Sequence, residues 1–165
     1  MKKLLFFACL LCGIKTVSAQ EIIALQIDSS ANIRKIIVPS YDNLFKLLNA
    51  SAKEYETTLS ALDYVKTEEK DADAYCAKST DKNVVFSIIK QEKEIDIAFN
   101  VHTEYPKLMK EALLKKITNL TYKRVKGMDT YYFAINNNAG AEVQYCMLFD
   151  ISKKGGGGVT LLELE

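Results

Sequence analysis

Residues 83–101 read NVVFSIIKQEKEIDIAFNV, and this stretch decides the fold. From Ile95 to Val101, large apolar side chains alternate with small or polar ones. Successive side chains of a β-strand point to opposite faces of the sheet, so this alternation predicts a strand with one buried and one solvated face. An apolar run over residues 83–90 precedes it across a short polar turn at 91–94. The stretch therefore predicts a β-hairpin at the centre of the domain.

Residues 1–19 have the pattern of a cleaved signal peptide. Lysines occupy positions 2–3, and residues 4–14 form an apolar run that is too short to span a bilayer. Val17-Ser18-Ala19 then places small or modest side chains where a signal peptidase cleaves, so Gln20 is the expected new N-terminus. We therefore expect an exported protein, periplasmic or secreted, in which residues 20–165 form a single domain.

A lipoprotein is the less favoured alternative, since Cys9 and Cys12 lie in the leader. Cys12 follows two leucines instead of a small residue, and Cys9 leaves a very short apolar run before it. The dilysine directly after Met1 is typical of bacterial signal peptides. No second apolar run of spanning length follows, so we expect no transmembrane segment in the mature chain.

The charge balance excludes one class of partner. Once Lys2, Lys3 and Lys15 are removed with the leader, 19 of the 22 basic residues remain against 21 acidic ones, a net charge of −2. A nucleic-acid-binding domain normally has a concentrated basic face and a clear basic excess. We therefore expect no nucleic-acid partner.

Two cysteines, Cys76 and Cys146, remain after cleavage. In an oxidising compartment such a pair is compatible with one disulfide, and equally with two free thiols buried as small apolar groups. A bridge would stabilise the fold by about 4 kcal/mol in the chain-entropy model. The sequence leaves both alternatives open.

The rest of the chain predicts an α+β domain, with a mainly antiparallel sheet and two helices packed on one of its faces. Helical spacing of apolar residues predicts a long helix over 41–65, capped by Ser40 and weakest at 49–51, and a second helix from about 103 to 117. Further strands are expected over 21–28, 33–38, 120–126, 130–136, 142–152 and 159–164. The polar residues 66–81 predict a surface connection with a short strand near Tyr75 and Cys76.

His102 is the only histidine and lies beside Glu104 at the predicted start of the second helix. A helix N-terminus is a suitable place for an acid/base group. Catalysis would need a partner, such as the thiol of Cys76 or Cys146, and the more ordinary interpretation is a half-exposed histidine at a helix entrance. A single histidine with no second ligand at metal-binding spacing predicts no metal site.

Tyr131 and Tyr132 are adjacent on a predicted strand, so one of them must point away from the core. An exposed tyrosine on a sheet face is a suitable anchor for a ligand or partner.

No nucleophile elbow, zinc-protease motif, Cys-x-x-Cys pair or dinucleotide fingerprint is present, and we expect no cofactor. Residues 71–82 lack the glycine and glutamate of a calcium-binding loop. The glycines at 155–158 come after two lysines, whereas the lysine of a phosphate-binding loop comes after the glycines. We therefore expect a non-enzymatic domain that binds a ligand or an envelope protein through a sheet face or hairpin loop. The alternatives are a hydrolase that uses His102 with a thiol or carboxylate, and a carrier of an apolar ligand.

Overall fold

The computed structural model describes residues 22–69, 72–100, 105–137, 139–151 and 156–164. Its elements in chain order are β1 (Ile27–Asp28), β2 (Ile36–Ile37), α1 (Tyr41–Asn49), α2 (Ala52–Ala61), β3 (Tyr64–Glu69), β4 (Ala72–Ala77), β5 (Phe86–Gln91), β6 (Glu94–Phe99), α3 (Tyr105–Lys116), β7 (Thr121–Val125), β8 (Met128–Asn136), β9 (Glu142–Ile151) and β10 (Gly157–Glu163). The mixed α+β class and the mainly antiparallel sheet are confirmed.

Strands β3 to β10 form one eight-stranded antiparallel sheet in the order β3-β4-β5-β6-β10-β9-β8-β7. The predicted central hairpin is β5–β6, in which Ile88 lies opposite Ile97. The last strand, β10, pairs with β6 and places Val159 opposite Ile97. The two central strands of the sheet, β6 and β10, are therefore neighbours although they are far apart in the sequence.

The helices pack on one face of the sheet and form the hydrophobic core with it. Helix α1 contacts β6 and β10, α3 contacts β9 and β10, and α2 contacts β3. The buried side chains of the helices and the strands belong to one cluster, which includes Leu44, Leu47, Leu59, Met109, Leu113, Ile88, Ile95, Ile97, Met147, Val159 and Leu161. Burial of this many apolar side chains is the main favourable term for folding.

Three helices are described, where the sequence predicted two. The predicted long helix is broken at its expected weak point, because α1 ends at Asn49 and Ser51 caps α2 in a capping box with Glu54. The predicted N-cap of α1, Ser40, is confirmed, since its side chain accepts from the Asn43 N–H. Helix α2 ends at Ala61, before the predicted end at residue 65.

The predicted short strand near Tyr75 and Cys76 is confirmed as β4, but the prediction that the residues before it form a surface connection was wrong. Strands β3 and β4 occupy most of this stretch. They pair with Tyr64 opposite Ala77 at one end and Glu69 opposite Ala72 at the other. Strand β3 is an edge strand with only one neighbour, so several of its side chains, including Val65, Lys66 and Thr67, are exposed. An edge strand has little apolar surface to bury, and its composition resembles that of a loop.

The N-terminal hairpin β1–β2 is held against the helices by the buried side chain of Asn43, which is 0% exposed. Its Oδ1 accepts from the Gln26 N–H at 3.0 Å, and its Nδ2 donates to the carbonyls of Gln26 at 2.9 Å and Val38 at 2.8 Å. The Tyr64 hydroxyl accepts from the Ile37 N–H at 3.1 Å, which ties the hairpin to β3 as well. This hairpin confirms the predicted first pair of strands, with shorter bounds.

The two halves of the sheet follow the same plan. Helix α2 precedes the meander β3–β6, and helix α3 precedes the meander β7–β10. In the sheet order the second half runs in reverse, so a pseudo-two-fold axis passes between β6 and β10. Corresponding positions carry related side chains: Asp73 and Tyr75 on β4 match Asp129 and Tyr131 on β8. The order of the strands is therefore repeated, although the helices are not placed alike, since α2 contacts β3 and α3 contacts β9 and β10.

Candidate functional site

The face of the sheet opposite the helices, which we call the open face, carries no helix of the described chain. The strand register fixes which side chains share it. One row of side chains crosses all eight strands in the order Thr67, Ala74, Ile89, Asp96, Thr160, Leu148, Thr130 and Lys123. A neighbouring row contains Gln91, Glu94, Leu162, Cys146, Tyr132 and Thr121.

The open face is a packed surface of mixed polarity. Ile89, Leu148 and Leu162 are half-buried on it, although a solvated sheet face would normally carry polar side chains at these positions. The smaller side chains of Ala74, Thr130 and Cys146 are fully buried between such neighbours. The face therefore presents a partly dehydrated, partly apolar surface near the centre of the sheet.

A carboxylate lies at the middle of this surface. Asp96 is half-buried between Ile89 and Thr160, and its Oδ1 accepts a hydrogen bond from the Thr160 hydroxyl. Burial raises the pKa of Asp96, and the hydrogen bond from Thr160 offsets part of that rise. Burial and the nearby charge of Asp96 also raise the pKa of Glu94, two residues away on the same face. A cationic neighbour would stabilise both carboxylates, because a positive charge favours their ionised forms and lowers their pKa values.

The open face carries an excess of negative charge. Glu94, Asp96, Glu142 and Asp150 occupy its strand positions, and the ammonium of Lys123 lies at the β7 edge, 5.3 Å from the centre of the Tyr132 ring. Glu142 and Asp150 are exposed, while the two carboxylates on β6 are half-buried. The electrostatic field of the face therefore favours a basic partner.

Both cysteines lie on the open face and are free. Three strands separate β4 from β9 in the sheet, so four steps of about 4.8 Å each place Cys76 and Cys146 at least about 19 Å apart. A disulfide needs Cα atoms within about 7 Å. In this structure both thiols are therefore free, with Cys146 buried and Cys76 half-buried.

The environment of Cys146 does not activate its thiol. Burial raises its pKa, and a hydrogen bond with the neighbouring Tyr132 opposes that rise. A nucleophilic thiol normally has a lowered pKa in a basic, accessible site. Cys146 therefore packs in the sheet, as its position in the middle of a strand indicated.

The structure separates the two candidate tyrosines, as the alternation of a strand requires. Tyr131 is 5% exposed and packs on the helix side against Phe149, while Tyr132 is half-buried on the open face beside Cys146. The predicted candidates His102 and Glu104 lie outside the described residues.

The sequence interpretation did not identify Asp96 and Glu94 as site residues. They are the polar members of an alternating strand, and such residues usually face water. A useful indication was that apolar side chains share their face: Ile89 lies opposite Asp96, Leu162 lies opposite Glu94, and Leu148 lies one strand further on.

Three surface clefts on the other side of the domain have volumes between 390 and 590 Å³. A 410 Å³ cleft near the N-terminal segment is lined by Arg34, Lys35, Asp63 and Lys78, and a 590 Å³ cleft lies between α1 and the β8–β9 turn.

Within the described ranges, no group of three or more histidine, cysteine or acidic side chains is placed to hold a metal ion. Likewise, none of the described helices has the length and apolar character needed to cross a membrane.

Comparison of the chain with protein-family models, with curated proteins and with solved structures gives no significant match.

Proposed function

We propose that this protein is an exported, non-enzymatic binding domain that recognises a basic, partly apolar protein surface through its open face. The charge distribution on the described part of the face supports this proposal most directly, because Glu94, Asp96, Glu142 and Asp150 outnumber Lys123 there and accompany half-buried apolar side chains. A partner with lysine or arginine around an apolar patch complements both features.

The half-buried state of Asp96 favours a partner with a cationic group near the centre of its contact surface. A carboxylate that loses water on binding costs free energy unless a positive charge or hydrogen-bond donors replace that water. Thr160 supplies one such donor, and a cation of the partner would supply the rest.

The carrier hypothesis is less well supported by this geometry. An acyl chain lying across Ile89 and Leu148 would also cover Asp96 and remove water from it without supplying a donor. A carrier would release lipid into an organic extract of the purified protein, and the binding domain proposed here would not.

The hydrolase hypothesis remains a separate prediction about His102. The thiol that lies on the open face at Cys146 has a raised pKa, which is unfavourable for a nucleophile. If the hydrolase hypothesis is correct, His102→Ala will abolish the cellular phenotype of the protein while leaving its fold intact.

Export is proposed from the leader alone, since residues 1–21 lie outside the described part of the chain. The dilysine, the short apolar run and Val17-Ser18-Ala19 support cleavage before Gln20. The intact mass of the protein recovered from its own host tests this: a mass beginning at Gln20 supports export, and a mass beginning at Met1 contradicts it.

Site-specific photo-crosslinking in the native host tests the binding proposal. A photoreactive residue at Ile89 or Leu148 probes the open face, and the same residue at Leu114, which is 48% exposed on α3, is the matched control on the helix side. We expect a discrete protein adduct from the first two positions and none from the control.

Charge reversal supplies the second arm of that experiment. Glu142→Lys and Asp150→Lys introduce positive charge at exposed positions of the open face, and Glu111→Lys makes the same change on α3. The adduct should weaken with the first two variants and with added salt, and should persist with the third. Equal crosslinking from Leu114, or no effect of the open-face charges, would refute the proposal.

A further inference from the structure

The 410 Å³ cleft lies at the C-terminal end of α2, away from the open face. Residues 32–35, which lead into β2, and residues 78–80, which follow β4, supply most of its lining. Leu62 and Asp63, directly after α2, supply the rest. The cleft therefore lies where three separate segments of the chain meet, and its volume suits a small organic group.

Main-chain bonds fix two of these segments against each other. Ile33 and Ser79 form an antiparallel bridge, and next to it the Thr80 N–H donates to the Asn32 carbonyl at 2.9 Å. Ile33 is 1% exposed and belongs to the hydrophobic core, so it anchors the bridge. The two segments therefore form a short ribbon that holds one side of the cleft in a fixed shape.

The register of this bridge places two positive charges opposite each other. In an antiparallel pair, the residues next to a bridged pair also face each other, and their side chains lie on the other side of the ribbon. Arg34 is therefore opposite Lys78, and both line the cleft. Like charges in facing positions are destabilising. An anion between the two side chains would remove this repulsion.

The negative groups of the cleft are already paired with a third cation. The ammonium of Lys35 lies 2.8 Å from the Asp63 carboxylate and donates to the Ala61 carbonyl at 3.1 Å, at the end of α2. The hydrogen bond from Lys35 lowers the pKa of Asp63. The positive charges of Lys78 and Arg34 lower that pKa further, so both side chains lie near the same carboxylate.

Two positive charges in the cleft remain uncompensated. Neither Arg34 nor Lys78 has a hydrogen bond or an ion pair within the part of the chain that the structure describes, and both are exposed. The charged side chains of the described lining are three cations and one carboxylate, a net charge of +2. A dianion matches this excess, whereas a monoanion leaves one cation unpaired. A phosphate monoester carries a charge of about −1.5 to −2 at pH 7.

We propose that this cleft binds a phosphate monoester, with its phosphate group between the guanidinium of Arg34 and the ammonium of Lys78. The planar guanidinium can donate two parallel hydrogen bonds to phosphate oxygens, and the ammonium adds a compact positive charge. The amide N–H groups of Asn32, whose oxygen lies 3.5 Å from the Thr80 hydroxyl, would donate to a third oxygen.

The organic part of the ester would lie against Leu62, the apolar member of the lining, which is half-buried. The monoester could be a soluble compound or the headgroup of phosphatidic acid in a membrane. This site is separate from the open face and does not depend on the function proposed for that face.

Titration of the folded protein with phenyl phosphate, followed by the backbone NMR signals of residues 32–35 and 78–80, tests the proposal. We expect saturable binding with the largest shifts in these two segments. Phenyl sulfate has the same ring and a similar shape but only one negative charge, so it should bind about tenfold more weakly. Phenol, which lacks the anionic group, should not bind. Equal binding of the phosphate and the sulfate would contradict the preference for a dianion.

Variants of the two unpaired cations make the test specific. Arg34→Gln and Lys78→Gln should each weaken binding of phenyl phosphate by about tenfold, because each removes a charge-assisted contact. Both side chains are exposed, so the fold should be retained. The matched control is Lys53→Gln, which removes an exposed positive charge from the first turn of α2, at the end of the helix away from the cleft, and should leave binding unchanged.

Asp63→Asn provides a converse test, because it should strengthen binding by about threefold or more by removing a negative charge and releasing Lys35. Asp63 has a φ of 64°, a backbone conformation that asparagine also adopts readily, so the turn should be kept. A gain in affinity cannot arise from a loss of folding. Unchanged or weaker binding would contradict the position of the phosphate group beside this carboxylate.

Vesicles of phosphatidylcholine with and without phosphatidic acid distinguish the two sources of the monoester. Co-sedimentation that requires phosphatidic acid and is lost in Arg34→Gln and Lys78→Gln would identify the lipid headgroup. Binding of phenyl phosphate without co-sedimentation would identify a soluble ester. The proposal is refuted if phenyl phosphate does not bind saturably, or if the double variant binds it as well as the unmodified protein does.

Discussion

Replacement of Asn43 by alanine should weaken the attachment of the N-terminal hairpin to the helices. The Asn43 side chain is fully buried and makes three hydrogen bonds, of 2.8, 2.9 and 3.0 Å, to the backbone of Gln26 and Val38. Alanine can make none of them. The bonds from Lys46 to the Ala24 carbonyl and from the Ile23 N–H to Thr58 remain, so the change removes only the part of the attachment that Asn43 supplies.

The size of the effect follows from what is left behind. The Gln26 carbonyl still accepts a hydrogen bond from the Val38 N–H at 3.0 Å, and the Val38 carbonyl still accepts one from the Ser40 N–H at 2.7 Å. Of the three backbone groups that Asn43 bonds, only the Gln26 N–H therefore loses its protein partner. Three hydrogen bonds at about 1 kcal/mol each predict a loss of about 3 kcal/mol in the free energy of unfolding. That is a substantial part of the total stability of a small domain.

Urea unfolding at pH 7 measures this change, and Asn49→Ala is the matched control. Asn49 lies on the same helix but is exposed, and its amide makes one bond, to the Phe45 carbonyl at 2.8 Å. We expect the control to change stability by less than about 0.5 kcal/mol. A loss of under about 1 kcal/mol for Asn43→Ala would show that the hairpin is held by its apolar contacts and not by this amide.

Three further predictions follow from the local chemistry. Asp96→Asn should stabilise the protein at pH 7, and this advantage should disappear towards pH 4. The pKa of Asp96 is raised in the folded state, so the unmodified protein gains stability as the pH falls and the carboxyl is protonated. Urea unfolding of both proteins at the two pH values measures the difference. Ser51→Ala should cost about 1 kcal/mol, because it removes the capping-box bonds with Glu54, and thermal unfolding would detect a change of that size. In a chain beginning at Gln20, a thiol reagent should modify Cys76 in the folded protein and Cys146 only in urea, whereas modification of neither thiol in urea would contradict the free state of both.

The features of the fold that could be predicted from the sequence are those with a local cause. Alternation over residues 94–99 gave the central strand, and Ser40 gave the start of α1 because its side chain satisfies a free N–H of the first turn. Strand β3 could not be predicted in this way. Its pairing with β4 stabilises it although Lys66 and Thr67 are exposed, and pairing is a property of two strands instead of one.

The candidate sites depend even more on relations between distant segments. The sequence predicted that one of Tyr131 and Tyr132 faces away from the core, and the structure identifies it as Tyr132. The setting of Asp96 could not be predicted, since it depends on Thr160 and on the register of the last strand.

The place of β10 at the centre of the sheet has a consequence for the time course of synthesis. A ribosome completes β3–β6 well before β10, so the edge of β6 has no strand partner while the whole second half is being made. That edge carries Ile95, Ile97 and Phe99, an alternating apolar pattern that is prone to pair with other chains when it is uncovered. A chain that is kept unfolded until its last residue has been added never exposes this edge in a folded half, and translocation across a membrane before folding would provide that delay.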